Sequence, residues 1–125
     1  MLDQEKPTLI AIVDDDESVR VALQGLMQEA ALPTCVFECA EDFLESRELR
    51  QTGCLIADIR MSGISGLELQ SRLNAESRQI PIIFITAHGD EEMRLRALRA
   101  GAVEFLAKPF DDQVLFDSVQ AALNR

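Results

Sequence analysis

Cys54-Leu55-Ile56-Ala57-Asp58 is the stretch whose reading decides the fold. Four apolar residues run straight into a carboxylate, and a loop carrying Gly63 and Gly66 follows. A short apolar run bounded by turn signals reads as a strand buried on both faces, as parallel sheets require. Asp58 then falls at the carboxyl end of that strand, where open α/β sheets place their ligands.

Upstream, Leu9 to Val13 is another apolar run, ending abruptly in Asp14-Asp15-Asp16-Glu17. Val19, Ala22, Leu23, Leu26, Met27 and Ala30 then recur at steps of three and four, one face of an amphipathic helix entered through acids. Pro33 resets the chain before a short strand, Cys35-Val36-Phe37. Ala40, Phe43 and Leu44 suggest a short helix that fades through Arg47 to Gln51, and Gly53 punctuates before the Cys54 strand.

Downstream, Ser65-Gly66-Leu67-Glu68 has the spacing of a capping box and predicts a helix to about Asn74. Ile82 to Ile85 reads as a buried strand ending in Thr86. Asp90, Glu91 and Glu92 open the next helix, and Arg94, Arg96 and Arg99 follow later in it, which complements the helix dipole. Gly101 is a natural stop. Val103 to Ala107 is a weaker strand, interrupted by Glu104, that runs into Lys108-Pro109. Val114, Leu115, Val119 and Ala122 mark a last helix beginning near Asp111.

Five strands thus alternate with five helices. Crossovers of this length force parallel strands and a sheet covered on both faces. The expectation is one doubly wound α/β domain over residues 1–125, with a short flexible lead-in at 1–7. A chain of 125 residues can bury such a core without staples. Cys35, Cys39 and Cys54 are odd in number and match no zinc spacing, so they read as small core hydrophobes.

The formal charge of −10 argues against nucleic acid or anionic lipid as an unaided partner. It suits a cation or a basic partner, and much of it is a solvated surface. No segment reads as a membrane span, and the polar start lacks the layout of a secretion signal, so a cytoplasmic protein is expected.

In a parallel sheet every strand's carboxyl end lies on one edge. Asp14 and Asp15, Asp58, Thr86 and Lys108 would therefore meet on one rim. Packed carboxylates raise each other's pKa and call for a compensating charge. Magnesium, which takes one or two carboxylates plus water and phosphate oxygens, supplies it, and manganese can substitute. A metal, an ammonium and a hydroxyl around a carboxylate oxygen are the parts of in-line phosphoryl transfer. The plainer reading has Lys108 merely pairing with an acid and Asp14 and Asp15 merely capping the first helix.

The pattern Val13-Asp14-Asp15-Asp16, Asp58 with Arg60-Met61, Thr86-Ala87 and Lys108-Pro109-Phe110 resembles the receiver domain of bacterial two-component response regulators. The wording around it is similar to the FixJ-like branch. The resemblance spans about Thr8 to Leu123 and implies a flavodoxin-like (βα)5 sheet of order 2-1-3-4-5. It implies phosphorylation of Asp58 by the phosphohistidine of a sensor histidine kinase, and autodephosphorylation, in a signalling domain rather than an enzyme. Magnesium would be held by Asp15, Asp58 and the backbone carbonyl of Arg60, with Asp14 acting through water. Lys108 and Thr86 would contact the phosphoryl oxygens, and the Lys108-Pro109 bond would be cis.

The same resemblance implies a switch. Thr86 is drawn toward the phosphorylated Asp58, and Phe105 turns into the space vacated, changing a face that binds a partner or a second copy. An ordinary half-buried core Phe is the competing reading of Phe105. Arg60 and His88 occupy places that tune the lifetime of the acyl phosphate, although His88 also reads as a plain loop histidine. Ser62 stands where the family commonly has Pro, and Cys39 where a helix-capping Ser is more usual. FixJ-like receivers precede a DNA-binding domain, so DNA would be met only through a downstream segment. A magnesium-dependent phosphohydrolase with an aspartyl intermediate is the alternative from another class. It would need a second carboxylate shortly after the nucleophile, where Arg60 stands. A flavin-binding module on the same fold fits less well still, because no phosphate-cradling Ser/Thr/Gly loop follows the first strand.

Overall fold

The computed structural model describes residues 7–87 and 91–124. The strands are β1 (Leu9–Val13), β2 (Thr34–Phe37), β3 (Thr52–Asp58), β4 (Ile82–Thr86) and β5 (Glu104–Ala107). The helices are α1 (Glu17–Glu29), α2 (Ala40–Leu44), α3 (Gly66–Ala75), α4 (Glu91–Arg99) and α5 (Asp112–Leu123), with a 3-10 turn at Arg47–Gln51. All strand pairs are parallel, in the order β2-β1-β3-β4-β5. This is the doubly wound, flavodoxin-like arrangement.

The central strand is buried along its whole length, as an unbroken apolar run must be when helices cover both sheet faces. It begins at Thr52, two residues before the expected start. Gly53 lies within it rather than ahead of it, because a Cβ there would collide with the Pro7 carbonyl. The weaker β5 is an edge strand, half-buried to exposed, and it begins at Glu104 rather than Val103. What looked like one fading helix after Ala40 is a five-residue helix and a separate 3-10 turn.

Caps set the helix starts. Asp16 caps α1, accepting from the amide of Ser18 at 2.9 Å and from its hydroxyl at 2.7 Å. Ser65 caps α3 by accepting from Glu68 N at 3.1 Å. Glu68 does not return the bond, and its side chain pairs with Arg72 instead. Asp111 caps α5, accepting from Gln113 and Val114 amides. Cys39, at the start of α2, makes no side-chain cap bond, the contact that the more usual Ser would supply.

Two apolar layers sandwich the sheet. One joins Ile10, Ile12, Ile56 and Ile85 to Leu23 and Met27 of α1 and Leu115 and Val119 of α5. The other joins Leu55, Ala57 and Phe84 to Phe43, Leu69, Leu73 and Ala97. Cys54 is buried and its thiol is pushed up to about 12 by burial. Cys35 is half-buried and pushed up to about 11 by burial, helped by the charge of Glu48. Among the described residues no cysteine forms a disulfide, and no helix is long and apolar enough to cross a membrane.

Candidate functional site

Strand register brings the acids together. Val13 pairs with Ala57, so Asp14 and Asp58 leave adjacent strands side by side. Thr86 pairs with Ala107, which puts Lys108 one step beyond, its amide donating to the Thr86 carbonyl at 2.8 Å. Lys108 Nζ then lies 3.4 Å from Asp14 Oδ2 and 3.2 Å from Asp58 Oδ2. Asp14, Asp58 and Thr86 are buried, whereas Lys108 is half-buried and Asp15 exposed. Three sequence-distant strand ends thus place two carboxylates about one ammonium, with the threonine on the strand between Asp58 and Lys108.

Burial raises the pKa of Asp14 above 3.8. The Asp16 amide and the Lys108 charge oppose that shift, and the Asp58 charge adds to it. The leading cause is loss of water rather than the mutual repulsion expected from the sequence. Burial alone would lower Lys108, but the charges of Asp14 and Asp58 outweigh it and hold the ammonium above 10.5. Asp16, by contrast, is held below 3.8 by its Ser18 bonds, as a capping carboxylate is. Helix capping therefore falls to Asp16, which leaves Asp14 and Asp15 for other work.

The loop after β3 is built on Asp58. Its Oδ1 accepts from the Arg60 amide at 3.1 Å, an Asx turn that starts the loop. The Gly66 amide closes the loop onto Ile59 O at 2.9 Å. A Cβ at position 66 would run into the Asp58 carbonyl, so glycine permits the close approach. The Arg60 side chain lines an open groove with Met61, Leu67 and Met93. Phe105 is half-buried, its ring tilted against buried Phe84 at 6.5 Å between centroids. The Lys108-Pro109 bond is cis, as the resemblance implies. His88 and Asp90 lie outside the described residues, as do residues 1–6 of the lead-in.

Asp15 is not gathered with the others. Its Oδ2 accepts from the Ser62 amide at 3.1 Å and the Ser62 hydroxyl at 3.4 Å. Consequently, no group of three carboxylate, thiol or imidazole ligands converges among the described residues. The donors nevertheless suit a hard divalent cation in kind. They are carboxylate oxygens, two of them buried with a single ammonium, and a third carboxylate stands at the rim.

Two contacts escaped the sequence reading. Arg20 of α1 donates to the Asp14 carbonyl at 2.7 Å and holds the end of β1 in place. A cation on the stripe of Leu23 and Met27 was the available signal. Ser62 was noted only as a departure in the loop, and its role as the partner of Asp15 had no sequence signature.

Comparison with known proteins agrees with this geometry. The model of the response regulator receiver domain matches residues 10–120. Nodulation protein W of Bradyrhizobium diazoefficiens is 44% identical over 117 residues, covering 94% of this chain and 52% of that protein. The solved structure of response regulator StyR has a TM-score of 0.86 at 51% identity, covering 93% of this chain and 59% of that one. The structure described as FixJ-N has a TM-score of 0.84 at 34% identity, covering 100% and 97%. The chain belongs to the receiver domain family of two-component response regulators, a family of signalling domains. These matches favour phosphorylation-activated signalling over the phosphohydrolase reading. The chain spans about half the length of nodulation protein W and of response regulator TodT from Pseudomonas putida.

Proposed function

We propose that Asp58 accepts a phosphoryl group from the phosphohistidine of a sensor histidine kinase, in a magnesium-dependent reaction. The observation that carries this is Lys108 Nζ standing between Asp14 and Asp58 at the carboxyl edge of the sheet. A carboxylate oxygen of Asp58 attacks phosphorus while the phosphorus–nitrogen bond breaks, its electron pair returning to the imidazole. Lys108 moves its charge from the Asp58 carboxylate to a phosphoryl oxygen, and the Thr86 hydroxyl donates to another. Magnesium would be held by Asp15, Asp58 and the Arg60 carbonyl, with Asp14 acting through water, and would supply the remaining charge neutralisation. Hydrolysis of the acyl phosphate returns the domain to rest, at a rate tuned by Arg60 and His88. No other substrate is turned over, so the domain is a switch and not an enzyme.

The output surface comprises α4, β5 and α5. Movement of Thr86 toward the phosphoryl group opens space beside β4, into which Phe105 turns. This favours a partner or a homodimer. The names of transcriptional regulatory proteins FixJ and TdiR support transcription control, which the domain would exert in the cytoplasm through a downstream DNA-binding segment. Magnesium with beryllofluoride, a mimic of the aspartyl phosphate, tests the site. Amide resonances at residues 58–62, 86–88 and 105 should shift in the wild type and stay still in Asp58→Asn. Turnover of a generic phosphate ester would instead support the phosphohydrolase.

A further inference from the structure

The link between Asp15 and Ser62 joins two loops 47 residues apart in sequence, and its shorter bond needs a backbone N–H at position 62. The backbone N–H of Ser62 is the shorter donor to Asp15, at 3.1 Å, and a proline at that position could not donate at all. The hydroxyl adds a longer contact to the same oxygen. On the other side of the loop, Gly63 lies against the Glu41 side chain, so that a Cβ there would come within 2.7 Å of Glu41 Oε2. Glu41 Oε1 is buried with no hydrogen-bond partner. Ser62 thus turns both of its donors toward Asp15, while Gly63 packs beside Glu41.

Asp15 is also the exposed carboxylate of the candidate metal set, and while it is turned to Ser62 it does not converge with Asp14 and Asp58 on a common point. From this we infer that Ser62 is a positioning residue that competes with the divalent cation for Asp15 and so sets the metal affinity. The inference deepens the magnesium reading above and rests on it. A cation that binds only the released conformer has its apparent affinity lowered by the released fraction. Two hydrogen bonds to an exposed carboxylate, one of them long, make that fraction about a third to a tenth. Magnesium occupancy, and with it phosphorylation of Asp58, would then respond at higher metal concentration than in a receiver with proline at this place.

Magnesium titration of the 15N-labelled chain, with calorimetry alongside, tests the inference on wild type, Ser62→Ala and Ser62→Pro. In wild type the Ser62 amide should start downfield and protected from exchange, then move upfield and exchange faster as metal saturates. Affinity should tighten slightly in Ser62→Ala, which loses only the longer contact, and about three- to tenfold in Ser62→Pro. Metal binding with the Ser62 amide unmoved, or with all three affinities equal, overturns the role of Ser62 and leaves the metal site standing. No magnesium binding in any of the three overturns the metal reading and this inference together. The wild-type amide and Ser62→Ala decide the question should proline disturb the loop.

Discussion

Helices α4 and α5 flank the same edge strand but are held in different ways. Leu115, Val119 and Ala122 fix α5 in an aliphatic layer with Ile10, Ile56 and Ile85. In α4 the buried residue is Ala97. Its C-terminal end is held by two amides one turn apart on α3. Gln70 Nε2 donates to Ala97 O and Asn74 Nδ2 to Ala100 O, each at 3.0 Å. A helix held mainly by apolar burial opens with the core, whereas one with a single fully buried residue and hydrogen bonds at its C-terminal end can open at lower free energy. The difference marks α4 as the less firmly held of the two helices.

The largest effect should come from breaking the α5 layer. Leu115→Ala removes a fully buried side chain and should cost about 2–5 kcal/mol. Urea melts should show both helices lost in one transition. Gln70→Ala should cost about 1–2 kcal/mol, since Ala97 O keeps its bond from Ala102 N. Hydrogen exchange should quicken across residues 91–102 and leave 112–123 unchanged. Equal quickening of both helices would erase the contrast.

The shared sheet edge provides a third test. Burial raises Asp14, so in the metal-free fold its ionisation costs stability as pH rises from 3.8 through the raised value. Asp14→Asn should therefore melt at higher temperature than wild type at neutral pH, the gain closing as pH falls below 3.8. The sign for Lys108 has a different window. Its contribution is whole below 10.5 and is lost as pH rises through the raised value. Exchange in α4 and α5 should slow equally in Asp14→Asn, because the charge acts on the sheet and not on either helix. The smallest effect belongs to Leu95→Ser on the exposed side of α4, within about 0.5 kcal/mol.

The contrast between the two helices also shows what the chain made legible. The fully buried strands and α5 were readable because burial on known faces leaves a hydrophobic period. The meeting of Asp14, Asp58, Thr86 and Lys108 was readable because parallel strands share one edge. The pinning of α4 was not, since Gln70 beside Leu69 carries no sign that its amide is buried. Nor was the turn of Asp15 toward Ser62, which depends on the conformations of two loops rather than on any period. Edge strand β5 and the helix after Ala40 blurred for a related reason. Short, half-covered elements bury too little to imprint a pattern.

Phosphorylation itself tests the central claim most directly. Incubation with a small phosphodonor and magnesium, followed by intact mass measurement, should show one added phosphoryl group in wild type. The gain should vanish on chelation of the metal and in Asp58→Asn. An unaltered wild-type mass, or an equal gain in Asp58→Asn, would contradict the account.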